Sequence, residues 1–444
     1  MDKTELYGRL LLDTELTMEL RRSLIDQAQP AVVQQENYIE CQRCLSKTRK
    51  EQAMLPNGTY YCPQCILLGR VSSTNQLYHL SEPNLFAKLT QTPLTWQGQL
   101  SSFQQNCSKE LIKALDRPGK YLMWAVTGAG KTEMLFPTLT KALLQKKRIC
   151  LASPRVDVCN ELYPRIVAAF HKITPVLLHG HSKQPYQYSQ LTICTTHQLL
   201  RFQHAFDLLI IDEVDAFPFV NSQMLKNAAK KAMKISGTLV YLTATPTKKM
   251  LVHIKQNKLP VSYLPIRFHR KLLPVPQVWL MNHWQNKLAK QKLPLKLTNC
   301  LRKWSKDALP FLVFVPNIEL LKPVLQVLRS VLPKNVLGDS VYSADPQRIT
   351  KVQAMRDHQL NYLVTTTILE RGVTFPSLNV MILGADERTF SVSALVQIAG
   401  RVGRSQKRPY GDVIFICQDY VKNVKEAVQQ IKGLNKKGDK LLDE

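Results

Sequence analysis

Ala125-Val126-Thr127-Gly128-Ala129-Gly130-Lys131-Thr132 is the stretch on which the fold turns. The apolar run Tyr121-Leu122-Met123-Trp124 before it reads as a short buried strand, and Glu133-Met134-Leu135-Phe136 after it starts a helical pattern. Strand, glycine loop, Lys-Thr and helix form the context that a phosphate-binding loop needs. Glycines let backbone N–H groups turn inward onto phosphates, and the helix N-terminus adds partial positive charge. Lys131 is the residue expected on the β- and γ-phosphates and Thr132 the one expected on Mg²⁺. The usual pattern begins with Gly; Ala125 stands there and is small enough for the turn. A glycine turn of any α/β domain would share Gly128 and Gly130, but not the Lys-Thr at a helix start.

Outward from the loop, apolar strands alternate with helical stretches, and each strand ends in a polar cluster. Arg148–Ala152 runs into Ser153-Pro154-Arg155, Leu191–Cys194 into Thr195-Thr196-His197, Leu208–Ile211 into Asp212-Glu213-Val214-Asp215, and Leu239–Leu242 into Thr243-Ala244-Thr245-Pro246. In a parallel α/β sheet such clusters converge at the carboxyl edge, where ligands bind. Asp212 is placed to contact Mg²⁺, and Glu213 to orient and deprotonate an attacking water. A second α/β unit follows a basic connection that includes Lys248, Lys255, Arg267 and Arg270. Its strands are Pro274–Leu280, Phe311–Val315, Tyr362–Val364 and Val380–Leu383, and it ends on Gln397-Ile398-Ala399-Gly400-Arg401-Val402-Gly403-Arg404. Guanidinium groups three residues apart can face one anionic site, and suit γ-phosphate charge in a transition state. The lysines from Lys287 to Lys306 are equally open to tracking phosphates and to forming a solvated face.

Ahead of these two units stand Cys41-Gln42-Arg43-Cys44, 17 residues, then Cys62-Pro63-Gln64-Cys65. Two such knuckles around the turn Pro56–Tyr61 outline a zinc ribbon, with all four thiolates on the metal and no open position for chemistry. Leu6 and Leu10, then Leu16, Leu20 and Leu24, recur every four residues, which predicts a helical N-terminal segment. The remaining cysteines are isolated in apolar runs and expected in cores. The expected domains are a helical segment 1–37, a four-cysteine ribbon 38–72, an ATP-binding domain 90–262 and a second domain 266–436. Because the two α/β units lie downstream of Cys65 with cores of their own, the ribbon is expected to be separable from them; the alternative is that it packs into them as a structural strut.

The 444 residues carry 60 Lys+Arg against 33 Asp+Glu, a net charge of +27. Such an excess points to a polyanionic partner, nucleic acid before an anionic membrane surface. No stretch approaches the 18 or so apolar residues of a membrane span. The first residues lack the apolar core of a signal peptide, so a reducing, cytoplasmic setting is expected.

Taken in order, AVTGAGKT, ASPR, TTHQLL, DEVD, TATP, FVPN, TTTILERGVTFP and QIAGRVGR resemble the motifs of superfamily 2 (DEAD/DEAH-like) helicases. They span Gln104 to Arg404, roughly two thirds of the chain. With the four-cysteine module in front, the chain is similar to the ComFA family of late competence proteins, whose motor is related to the PriA helicase. The resemblance implies two RecA-like domains, ATP between them and single-stranded DNA across both. It puts Gln104 near the adenine, and Thr127, Gly128, Ala129, Gly130, Lys131 and Thr132 on the nucleotide. It puts Asp212 and Glu213 on metal and water, with Gln397, Arg401 and Arg404 closing the site. Arg155, Thr195, Thr196, Thr366 and Thr367 fall at DNA-contacting motifs. Thr374 stands where many of these helicases carry Asp. The family role is to drive transforming single-stranded DNA inward at the inner face of the ComEC channel, with ComFC and DprA as partners. The rival readings are a PriA-like duplex helicase, an RNA helicase and a zinc-bearing nucleic-acid scaffold with a weak ATPase.

Overall fold

The computed structural model describes residues 2–180, 182 and 185–443. It divides into two compact units: residues up to Trp124 with Lys131–Tyr263, and Leu264 onward together with Ala125–Gly130.

The first unit is built on a seven-stranded sheet. Its strands are β7 (Gly119–Ala125), β8 (Ile149–Ser153), β9 (Val176–Leu178), β10 (Leu191–Thr195), β11 (Phe206–Ile211), β12 (Met233–Thr243) and β13 (Val261–Leu264), with β1–β6 lying N-terminal to them. The spatial order is β13-β7-β12-β11-β8-β10-β9. From β7 to β9 every pairing is parallel. β8 and β10 are buried along their whole length, as expected of strands covered on both faces. Helix Lys131–Leu144 follows the glycine loop. Helix Ser102–Leu115 precedes β7 and opens on a capping box between Ser101 and Gln104.

The second unit holds a six-stranded sheet of β14 (Gln277–Leu280), β15 (Phe311–Phe314), β16 (Gly338–Val341), β17 (Tyr362–Thr365), β18 (Asn379–Leu383) and β19 (Val413–Cys417). The order is β14-β19-β18-β15-β17-β16, all parallel. Its core is built on Trp284, Trp304, Phe311, Leu328 and Tyr362. Helix Leu295–Lys306 buries Leu297, Thr298, Leu301 and Trp304. Lys303 and Lys306 stay on its exposed side. Two parallel-sheet RecA-like domains are therefore present, in agreement with the expected fold class.

The N-terminal region departs from expectation. Residues 2–37 hold one α-helix, Met18–Ser23, short 3₁₀ turns, and the strands β1 (Leu10–Leu12), β2 (Ala28–Pro30) and β3 (Val32–Gln34). The four-residue leucine spacing survives only where Leu20 lies on that helix and Leu24 caps it. Leu10-Leu11-Leu12 is buried on every residue and pairs antiparallel with β6 (Gln76–His79), which covers it as a strand. β3 pairs with β4 (Tyr38–Cys41), which pairs with β5 (Lys47–Arg49).

Nor is the N-terminal region a free-standing module. One continuous core includes Leu10, Ile39, Cys41, Cys44, Cys62 and Cys65 together with Cys150, Leu199, Phe202 and Phe206 of the first RecA-like domain. Backbone bonds add to it: Gln203 N–H donates to the Gly8 carbonyl at 2.9 Å, and Arg9 bridges antiparallel to Phe202. A Cβ at Gly8, where φ is +68°, would stand 2.7 Å from the Ala205 Cβ, so this approach requires glycine. About 70 residues make a small core, and packing against the first RecA-like domain enlarges it.

Candidate ATPase and metal sites

The glycine loop follows β7 and leads straight into helix Lys131–Leu144. Gly128 and Gly130 take φ of +79° and +77°, the conformation that aims successive backbone N–H groups into one hollow. Ala125 is fully buried, so the position that usually carries glycine is filled without distorting the strand end. Thr132 sits in the first helical turn, 7% exposed. Gln104 is buried and its side-chain oxygen accepts from the Ser101 N–H at 2.9 Å. Its carboxamide is thus partly committed to starting its own helix.

β11 ends at Ile211 and hands Asp212 to the same sheet edge, two strands from β7 in the sheet order. Glu213 takes φ of +55°, a left-handed conformation that a side chain larger than glycine adopts only when held there. Its N–H donates to Asp212 Oδ1 at 2.9 Å, which supports the strained turn. Asp215, 9% exposed, accepts from the Thr243 hydroxyl through Oδ1 and from the Thr245 hydroxyl through Oδ2, both at 2.5 Å. Thr245 N–H in turn donates to Thr243 Oγ1 at 2.9 Å. Charge-assisted bonds of this kind lock the end of β12 to the acidic turn. Asp215, Thr243 and Thr245 were visible as strand-end residues, but their mutual bonding required the fold.

Arg155 caps helix Val156–Ala169 after β8 and is half-buried. Thr195 and Thr196 lie at the end of β10 with buried side chains, 5% and 0% exposed. In the second unit, Thr366 and Thr367 follow β17 and are half-buried.

Helix Val392–Ala399 carries Gln397, 6% exposed, and leads into the arginine loop. Arg401 is buried and donates to the Val373 carbonyl. Arg404 is half-buried; its Nε donates to the Gly400 carbonyl at 3.2 Å and its Nη1 to the Thr374 hydroxyl at 3.3 Å. Thr374 therefore helps to orient Arg404. Arg267 lies in the basic connection, yet it is 1% exposed. It donates to the Gly403 carbonyl at 2.6 Å and to the Gly400 carbonyl at 3.2 Å. Burial first, and the Arg404 charge second, lower its pKa to about 9. The signal in the sequence is an arginine between the apolar run Leu264-Pro265-Ile266 and Phe268, which a charge count passes over.

The thiols of Cys41, Cys44, Cys62 and Cys65 are buried and lie within 4.8 Å of one another. Cys41 Sγ and Cys65 Sγ are 3.9 Å apart, and Cys44 Sγ and Cys62 Sγ 3.5 Å apart. Four sulfurs tetrahedral about one ion at about 2.3 Å stand roughly 3.8 Å from each other, so the set fits a single closed metal site. Arg43, 1% exposed, donates to the Cys65 and Gly69 carbonyls, which fixes the second knuckle. Lys231, from the first RecA-like domain, donates to the Gln42 carbonyl inside the first knuckle. The other six cysteines are free thiols, five of them buried.

Over nearly its whole length the chain is similar to known proteins. Residues 3–79 match the competence protein ComFA N-terminal domain, 97–248 the type III restriction enzyme res subunit domain, and 293–406 the helicase conserved C-terminal domain. Over 97% of both chains the protein is 42% identical to competence protein ComFA of Streptococcus pneumoniae. Against ComFA of Bacillus subtilis identity is 39%, over 97% of this chain and 94% of the relative. The chain belongs to the ComFA family. Dbp5 of S. cerevisiae, solved bound to RNA and ADP BeF3, superimposes with a TM-score of 0.58 at 16% identity, over 76% of this chain and 88% of that one. Mss116p bound to ssRNA and AMP-PNP gives 0.57 at 18%, over 74% and 71%. At such identities these likenesses speak to fold. As a ComFA protein, the chain is a helicase-type ATPase.

Proposed function

We propose that this ComFA protein is an ATP-dependent single-stranded DNA translocase that draws transforming DNA into the cytoplasm. The observation that carries this reading is the full-length match to two competence proteins, spanning the cysteine module as well as the motor. The strand-end residues supply the chemistry. Lys131 and the loop from Thr127 to Thr132 grip the triphosphate, Thr132 and Asp212 hold Mg²⁺, and Glu213 takes the proton of the attacking water. Gln104 faces the adenine. Gln397, Arg401 and Arg404 act on the nucleotide's phosphates, with Arg267 bracing their loop. Arg155, Thr195, Thr196, Thr366 and Thr367 belong to the segments that meet the DNA backbone. The net charge of +27 supports a polyanionic substrate. Zinc is the ion that four buried thiolates at this spacing suit best.

Family resemblance extends the proposal to ComFC and DprA as partners, and to the inner face of the ComEC channel as the place of work. Among the described residues no helix is long and apolar enough to cross a membrane, so we infer peripheral attachment. The test compares ATP hydrolysis with single-stranded DNA, duplex DNA and RNA, alongside transformation of cells that carry Lys131→Ala. Single-stranded DNA is expected to stimulate most, and the variant to abolish uptake. Stimulation by RNA alone, or normal transformation by the variant, overturns the reading.

A further inference from the structure

The segment Leu264–Leu273 leaves the end of β13 and holds no further helix or strand. Its buried groups therefore find their partners outside the segment. Phe268 N–H donates to the Gly128 carbonyl at 3.0 Å, and the Leu264 carbonyl accepts from the Val126 N–H at 3.1 Å. Arg267 reaches the Gly403 and Gly400 carbonyls instead, and His269 Nε2 lies 3.0 Å from the Gly403 oxygen. The Gly400 carbonyl also accepts from Arg404 Nε, so both arginines share it. One strap thus touches the glycine loop and the arginine loop. All of these residues belong to the second unit, which includes Ala125–Gly130.

The strap is held by the last helix, Lys422–Asp443. Asn435 on that helix is 9% exposed. Its Oδ1 accepts from the Leu273 N–H at 3.0 Å, and its Nδ2 donates to the Leu273 carbonyl at 2.8 Å. A single amide therefore satisfies both backbone groups of one buried residue, and Leu273 can neither shift nor turn without losing both bonds. Gly438, one turn further on, faces the same strap. A Cβ there would stand 2.8 Å from Ile266 Cγ2, 3.0 Å from Leu272 Cδ2 and 3.3 Å from the Pro265 carbonyl oxygen. Glycine weakens a helix interior relative to alanine; here it permits the helix to lie against the strap. The same helix packs on helix Val392–Ala399, which carries Gln397 and leads into the arginine loop.

We propose that Asn435 is a positioning residue for ATP hydrolysis. By fixing Leu273 it holds the strap, and the strap holds the Arg267 guanidinium against the Gly400 and Gly403 carbonyls, between which Arg401 stands and after which Arg404 follows. Asn435 acts through Arg267 and not on the nucleotide. The last helix is thereby a common support for the two elements that set the arginine loop, the strap and helix Val392–Ala399. The inference rests on the reading above in which Arg401 and Arg404 act on the nucleotide's phosphates.

Asn435→Leu, Gly438→Ala and Gly433→Ala are compared in the full chain for ATP hydrolysis with single-stranded DNA, at a temperature below every melting transition. Asn435→Leu is close in shape but leaves the Leu273 N–H and carbonyl buried without partners. It is expected to lower kcat roughly tenfold, with KM for ATP little changed, because the arginine loop acts in the transition state. Gly438→Ala is expected to lower kcat in the same way by pushing on Ile266, whose branched side chain is stiff at its first torsion. Gly433→Ala raises helix propensity equally and meets nothing within 4 Å, so it is expected to keep the parent kcat. Should Asn435→Leu fail to fold, the contrast between the two alanine variants carries the same expectation. Asn435→Leu is then repeated in the Arg267→Met background, where it is expected to cost little more. Equal losses with and without the Arg267 side chain would make Asn435 a stabilising residue alone and overturn the proposal. Folded Asn435→Leu and Gly438→Ala proteins with the parent kcat, or with KM raised and kcat unchanged, overturn it too. Arg404→Ala is measured alongside. A parent rate there overturns the arginine-loop reading and this inference with it; a crippled Arg404→Ala beside a normal Asn435→Leu overturns this inference alone.

Discussion

The Arg148 guanidinium and the Glu82 carboxylate form an ion pair in which both side chains are fully buried. Glu82 lies just beyond the cysteine module, and Arg148 directly precedes β8. Around them, Arg148 also donates to the Tyr7 carbonyl at 2.7 Å and to the Tyr186 hydroxyl. Its guanidinium is 5.3 Å from the Phe206 ring centroid and 4.9 Å from that of Tyr188. The Tyr188 hydroxyl donates to Glu82. One cation therefore gathers the N-terminal chain, the segment after β6 and the motor sheet.

Removing either partner leaves a charge buried without compensation, which costs about 3–5 kcal/mol. Glu82→Gln and Arg148→Met are each expected to lower the denaturation midpoint of the first unit accordingly. Replacing both with apolar residues is expected to recover much of the loss. Urea denaturation of the two single variants and the double variant provides the check. Additive losses in the double variant would show that the pair is not coupled.

Glu213→Gln retains the shape of the turn but cannot accept a proton. ATP binding is expected to survive while turnover falls by about a hundredfold or more. Nucleotide affinity and steady-state hydrolysis, measured with DNA present, decide it; hydrolysis near the parent rate removes Glu213 as the base.

Arg404→Ala is expected to lower turnover by about three to five decades, or roughly 4–7 kcal/mol of transition-state stabilisation, if Arg404 acts as a full arginine finger. Arg267→Met should act on the same step more weakly, by letting the Gly400–Gly403 carbonyls lose their donor. A pre-steady-state comparison of the two separates direct charge from bracing. Equal losses in both would mean that Arg404 contributes through loop geometry alone.

The joint replacement Cys62→Ser and Cys65→Ser is expected to release the metal and to lower the melting temperature of the first RecA-like domain with it. Metal supplies folding energy to the ribbon, and the ribbon's thiols share a core with Leu199, Phe202 and Phe206. Metal analysis and calorimetry of the double variant are the measurements. Metal lost with the motor transition unmoved would restore the idea of a detachable module, and metal retained would dismiss the four-thiolate site.

Much of the motor was legible because its chemistry is written at strand ends. Buried parallel strands read as continuous apolar runs, and each polar residue that breaks such a run marks the sheet edge; Asp212, Thr195 and Thr366 are all found this way. Loops with obligatory glycines, such as Gly128 and Gly130, are similarly explicit. The N-terminal region was less legible because its strands are three or four residues long, shorter than either periodicity needs to declare itself. Leu10-Leu11-Leu12 fits a helix face or a buried strand equally well until β6, some 65 residues on, is seen to pair with it. Arg9, Arg148 and Arg267 were hidden by the habit of counting arginine as surface. Each is at most 5% exposed, and what buries it is distant in sequence.

The Lys231 donation to Gln42 joins residues 189 apart. During synthesis at about 5–20 residues per second, Gln42 is made roughly 10–40 s before Lys231. The pair Glu82–Arg148, 66 residues apart, closes earlier. At the start of that interval the nascent N-terminal chain has four thiols able to hold a metal and no motor sheet to lie on. We infer that metal capture by the four thiols is the event that shapes this segment first, ahead of the β-sheet of the motor.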